Sequence, residues 1–170
     1  MQDKEKQCNS FVNSSFQGNS HSEKILRLVD SIKYLSPADL ADLRRSADLE
    51  LPKAVFWKIA TICSDYDLTQ LLDEWRVVLA AFAHMKGLHD ISQSLGSVLQ
   101  KAGYSEARLT KLLNANSITI KRELMCLARF LSSKGISTNL CELSGLVLFN
   151  HSMGLQVRRK IAQDYYFYHS

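Results

Sequence analysis

At 170 residues, with 46% hydrophobic and 22% charged side chains, the chain can bury one substantial core, which excludes wholesale disorder and two independent enzymes. The longest apolar run, Val77 to Ala83, is far short of the roughly 20 residues a bilayer span needs, and the polar N-terminus has no signal-peptide core, so a cytoplasmic protein without a membrane association is expected. The formal net charge of +4 only weakly suggests the sign of a partner; where the cations cluster says more.

Residues 1–21 are rich in Ser, Asn and Gln, with Phe11, Val12 and Phe16 as the only sizeable apolar groups, and read as a flexible tail. From Ser22 the period is helical, since Ile25, Leu28, Val29 and Ile32 share one face. Ser36-Pro37 reads as an N-cap followed by proline at the first helical position, and Pro52 punctuates ahead of AVFWKIATIC. Thr69 to Lys86 is the strongest helix and a central core element, with Leu71, Leu72, Trp75, Val78, Leu79 and Phe82 on a broad stripe that Gly87 ends. A loop over Leu88 to Gln93 follows.

The stretch from Ser94 to Ala115 reads as two short helices meeting at a turn, a core-forming hairpin with a basic outer surface. Leu95, Val98 and Leu99 stripe the first helix, Gly103 stops it, Ser105 caps the second, and Leu109, Leu112 and Leu113 face inward. Gly96, alone in an apolar helix, reads as close helix packing. Ser117 is expected to cap a long helix carrying Ile120, Leu124, Leu127 and Leu131 as far as Gly135. Leu140 to Phe149 is another helix, His151 falls in a turn, and the last helix carries Val157, Ile161, Tyr165 and Tyr168 on one side. No strand and no internal repeat appear. The expectation is all-α: a compact bundle of about eight to nine helices, with a tail (1–21), an N-terminal lobe (22–93) and a C-terminal lobe (94–170) sharing a core.

The four cysteines, Cys8, Cys63, Cys126 and Cys141, lack metal-ligand spacing, and Cys63 and Cys126 fall in apolar helical patterns where a reduced thiol serves as a small buried hydrophobe. The five histidines form no catalytic set; His84 and His89, five apart with a glycine between them, do not share a helical face. Asp65, Asp67, Asp73 and Glu74 lack a metal-binding rhythm and read as a solvated face. No phosphate loop, GxSxG or HExxH occurs, so no nucleophile, base and orienting group can be named. The reading is a non-enzyme that calls for no cofactor and no metal. What remains is basic clusters: Arg44-Arg45, the pair Arg108 and Lys111, Lys121-Arg122 with Arg129 one heptad later, and Arg158-Arg159-Lys160. Many such clusters are solvated helix faces; recurrence in four segments raises the alternative of one groove tracking a phosphate backbone.

Four segments are specific in combination: SLG at Ser94 to Gly96, GYSEARLTKLLNA at Gly103 to Ala115, LARFLSSKGI at Leu127 to Ile136, and QVRRKIAQDYY at Gln156 to Tyr166. Together they resemble the CasB family, the small subunit of the type I-E CRISPR surveillance complex Cascade, with DLRRSADLELPKAVFWKI from Asp42 to Ile59 matching more loosely. The resemblance implies an all-helical, non-catalytic subunit of an antiviral complex. Its implied partners are the backbone and large subunits, a second copy of itself, the CRISPR RNA and the target DNA. Its implied task is to stabilise the R-loop by sequence-independent contacts to the heteroduplex and the displaced strand. Carried over by position, Arg44, Arg45, Arg108, Arg122, Arg129, Arg158 and Arg159 would line that path, with Lys111, Lys121 and Lys160 beside them. The chain departs from the family where relatives often carry arginine and it has Asn116, where they carry a basic pair and it has Met125-Cys126, and near residues 139 and 140, where their tryptophan is missing. The competing readings are a helical protein–protein adaptor without direct nucleic-acid binding and, less well supported, a helix-turn-helix repressor, whose recognition helix would not be filled with leucines.

Overall fold

From Trp75 to Ala83 every residue is buried, so the helix Leu72–His84 has no polar face to turn outward and the other helices assemble around it. The structure, a computed structural model, describes residues 21–48, 51–61, 71–149 and 151–167. Among these residues lie nine α-helices: α1 (21–33), α2 (Pro37–Arg45), α3 (Ala54–Ala60), α4 (Leu72–His84), α5 (Leu95–Lys101), α6 (Glu106–Leu113), α7 (Thr119–Ser133), α8 (Leu140–Leu148) and α9 (His151–Tyr166). A short 3-10 turn, Ser46–Asp48, follows α2. No strand is present among the described residues; a single parallel bridge joins His89 to Thr138.

Helix α4 packs against α2, α3, α7 and α8, and one apolar cluster runs from Ile25 to Tyr165 through residues of both chain halves. Trp75, Phe56 and Phe82 are its largest fully buried side chains. The one charge buried on α4, Arg76, donates from Nε to the Ser46 carbonyl (3.0 Å) and pairs with Asp73 (3.0 Å), so its burial strands no donor.

Several boundaries follow directly from the residues at them. Ser36 is the N-cap of α2 and its hydroxyl accepts from the Asp39 amide at 3.1 Å, with Pro37 at the first helical position. Gly103 follows α5 at a φ of 73°, a conformation that charges any Cβ a steric penalty. Ser105 caps α6, accepting from the Arg108 amide.

Other expectations need correction. Helices α5 and α6 meet near Gly103 and both feed the core, but through different neighbours, since α5 packs chiefly on α9 and α6 on α7. Gly96 explains the first pairing: a Cβ there would lie 2.2 Å from the Ile161 carbonyl oxygen and 2.8 Å from the Tyr165 amide nitrogen, so the two helix backbones touch only because the side chain is missing. Ser117 does not cap α7; the side chain that satisfies the amides at its start is that of Asn116, two residues before the N-cap position Ile118. The Asn116 Oδ1 accepts from the amides of Ile118 (3.0 Å) and Thr119 (2.9 Å), while its own amide donates to Thr119 Oγ1 at 3.1 Å, a reciprocal box.

His21, assigned to the tail, opens α1 and is buried, with Nε2 3.2 Å from Ser144 Oγ and its ring 4.6 Å from that of Phe149. Residues 1–20 lie outside the described residues, as do Cys8, Cys63, Asp65, Asp67, Thr69 and Tyr168. Cys126 is exposed rather than buried, and His151 begins α9 instead of sitting in a turn.

Candidate nucleic-acid interface

The site grows from the amphipathic pattern of α7. Ile120, Leu124, Leu127 and Leu131 are buried, and the helix packs on α4, α6 and α8. Arg122, Cys126 and Arg129, at i, i+4 and i+7, are therefore turned outward as one exposed ridge. A hollow flanks it on each side. That toward α6, about 420 Å³, is lined by Tyr104, Arg108, Lys111, Glu123 and Phe130 with Cys126 and Arg129. That toward the 3-10 turn, about 300 Å³, includes Ala47, Asp48, Lys121 and Arg122, again with Cys126 and Arg129. Tyr104 and Phe130 meet edge to face at 5.2 Å and give the first hollow an aromatic wall.

The ten cations singled out by sequence are not equally available. Arg108 and Arg129 are exposed and have no ion-pair or hydrogen-bond partner for their side chains among the described residues. Lys111 Nζ lies 2.9 Å, and Arg122 Nη2 3.5 Å, from the same oxygen of Glu123. Lys121 is drawn to Glu74 at 2.9 Å and to Asp73 at 3.9 Å. Arg44 donates from Nε to the Ala83 carbonyl at 3.1 Å, placing a cation at the negative end of the α4 dipole. Arg45 shares Asp42 with Lys53, each at 2.7 Å; the hydrogen bonds from Lys53 and then Arg45 hold that carboxyl below the usual carboxylate range.

The C-terminal cluster does different work. Arg158 Nη1 donates to the carbonyls of Leu113 (2.6 Å) and Ala115 (2.8 Å), closing the C-terminal end of α6, and it lines a separate hollow with Glu74 and Asn116. Lys160 bridges Glu142 (3.0 Å) and Asp164 (2.5 Å). Arg159 alone of the three is exposed without a partner among the described residues. The structure thus gathers Arg108, Lys111, Arg122 and Arg129 on the α6–α7 face. Arg44 joins Arg129 near His84, whose pKa is lowered first by burial and then by the charges of Arg129 and Arg44. Lys121 borders the hollow toward the 3-10 turn but is claimed by Glu74 and Asp73, and Arg45, Arg158, Arg159 and Lys160 line neither hollow.

Several residues of this face were not singled out from the sequence, among them Tyr104, Phe130, His84 and Glu123. His84 carries no motif that would mark it. Glu123 could have been found, because Ile120, Glu123, Leu124 and Leu127 fall at i, i+3, i+4 and i+7, the rhythm of the buried stripe. No group of His, Cys, Asp and Glu among the described residues could hold a metal ion.

A family model described as CRISPR-associated protein Cse2 matches residues 39–166. In fold, the chain is similar to the crystal structure of CasB from Thermobifida fusca, with a TM-score of 0.63 at 16% identity over 87% of this chain and 96% of that one. No curated protein sequence matches the chain.

Proposed function

The chain belongs to the CRISPR-associated Cse2 family, the small subunit of Cascade complexes, and from that premise we propose that its α6–α7 face steadies the R-loop of a type I-E complex by gripping nucleic-acid backbone. The observation that carries this reading is the pair Arg108 and Arg129. Two exposed guanidinium groups on neighbouring helices border one hollow, and no carboxylate of the described residues answers either. Guanidinium groups match phosphate oxygens in a fork, and such contacts position a strand without reading its bases. The guide RNA reads sequence. Because the heteroduplex is about as stable as the duplex it replaces, a few phosphate contacts to the unwound product suffice to tip the exchange. The partners that go with this role are the backbone and large subunits, a second copy, the CRISPR RNA and the target DNA. No helix among the described residues is long and apolar enough to cross a membrane.

A second reading has its own support: Arg45, Lys121, Arg158 and Lys160 are satisfied within the chain, as expected of an adaptor whose cations serve the fold. Replacing Arg108 and Arg129 together by alanine separates the two. On the nucleic-acid reading, the log–log salt slope for single-stranded DNA becomes shallower by about 0.7 per lost contact, equally for unrelated sequences. Target DNA also leaves the assembled complex faster. Equal off-rates at two salt concentrations, with the complex intact, would leave the adaptor reading in place.

A further inference from the structure

One buried carboxylate stands inside the basic face. Glu123 lies on the inward stripe of α7, and its side chain is 7% exposed, while those of Lys111 and Arg122 are 60% and 69% exposed. The anion is therefore the fixed member and the cations are the solvated ones. They come from two helices, Lys111 from α6 and Arg122 from α7, and converge on the single oxygen Oε1. The charge is felt across the hollow: the Tyr104 hydroxyl has its pKa raised by burial and then by Glu123.

A phosphodiester offers Lys111 and Arg122 the same thing that Glu123 does, namely a singly charged group of acceptor oxygens. Strand and carboxylate must compete for these cations. Resting on the nucleic-acid reading above, we propose that Glu123 is a built-in stand-in for phosphate that sets the affinity of the α6–α7 face, holding Lys111 and Arg122 until a strand takes them over. Arg108 and Arg129 stay open for first contact. The consequence suits a subunit that should act on a strand presented by its complex: the free chain binds nucleic acid weakly, and the full set of contacts forms only where the strand is already held in place.

Replacing the buried anion leaves no buried cation stranded, so Glu123→Gln should fold, which thermal unfolding verifies. Binding of a labelled oligothymidylate strand to the full chain is then followed by anisotropy over a salt series. Glu123→Gln is expected to bind about threefold to tenfold tighter at low salt, with a log–log slope steeper by about 0.7 for each released cation. Lys111→Gln should cost less than Arg108→Gln in the native chain, and more in the Glu123→Gln background than in the native one. Equal or weaker binding by Glu123→Gln, with the native chain binding normally, would overturn the inference alone and make Glu123 a residue that positions its cations. Should that variant fail to fold, equal costs for Lys111→Gln and Arg108→Gln in the native chain would overturn it as well. No binding by either chain at the lowest salt would remove the nucleic-acid reading and this inference with it.

Discussion

The C-terminal cluster on α9 and the face formed by α6 and α7 carry the same kinds of residue and put them to opposite uses. On α9, the Arg158 guanidinium reaches two carbonyls at the end of α6, and Lys160 reaches two carboxylates. On the α6–α7 face, Arg108 and Arg129 have no side-chain partner among the described residues, and Glu123 draws Lys111 and Arg122 inward. A run of cations in a sequence thus counts potential contacts; what each can do depends on which acceptor the fold brings within reach. Helix ends are among such acceptors, because their last carbonyls lack intrahelical partners.

The α9 side of this comparison can be broken most severely at Gly96. A Cβ 2.2 Å from the Ile161 carbonyl cannot be absorbed by a rotamer change, so Gly96→Ala should cost on the order of 3 kcal/mol, read as a shift of the denaturation midpoint. An unchanged midpoint would mean that α5 can back away from α9 freely.

The His21 contact with Ser144 and Phe149, which belongs to neither cluster, is tested by pH. Burial lowers the His21 pKa from 6.5 to about 4, so the folded state resists protonation while the unfolded chain accepts it. The sign follows: the contribution is fully present above pH 6.5 and is lost as pH falls from 6.5 toward 4, by up to roughly 3 kcal/mol. His84 and His89 also have lowered values and slope in the same direction, so the His21 share is the part that His21→Phe removes from the acid limb of a stability–pH curve.

The smallest effect sharpens the contrast between the two clusters. Arg158→Ala should cost about 1.5–3 kcal/mol, because two carbonyls lose a charged donor, and should leave the salt slope of DNA binding unchanged. Arg129→Ala should change stability by less than about 0.5 kcal/mol and flatten that slope. Reversed outcomes for the two variants would reverse the assignment.

Features that depend on a residue's immediate neighbours were legible from the sequence. The Ser36-Pro37 start, the stop at Gly103 and the buried stripe of α4 all follow from local stereochemistry and period. Gly96 was legible as a place of close packing, though not its partner, since nothing in the sequence says that α5 meets α9. Asn116 displaced Ser117 as the capping side chain because an amide side chain can bond two backbone donors and be bonded in return by Thr119. The apolar neighbours of Cys126 suggest burial, yet it lies four residues after Arg122 and three before Arg129, on the outward side of the same helix. For the candidate site, sequence supplied the residue types and the order of the clusters. It could not separate Arg158 from Arg129, because the acceptors that claim Arg158 belong to another helix.

The parallel bridge between His89 and Thr138 bears on how the molecule opens. Around it the Asp90 amide donates to the Thr138 carbonyl (3.1 Å), the Thr138 amide to the Leu88 carbonyl (3.2 Å), the Asn139 amide to the Gln93 carbonyl (2.8 Å) and the Leu140 amide to His89 Nδ1 (3.2 Å). One partner is the connection from α4 to α5, and the other is the connection from α7 to α8. Each loop supplies what the other lacks, so neither can fray alone. The connection from α4 to α5 is consequently fastened by main chain at a point far along the sequence, and loosening it frees the connection from α7 to α8 as well.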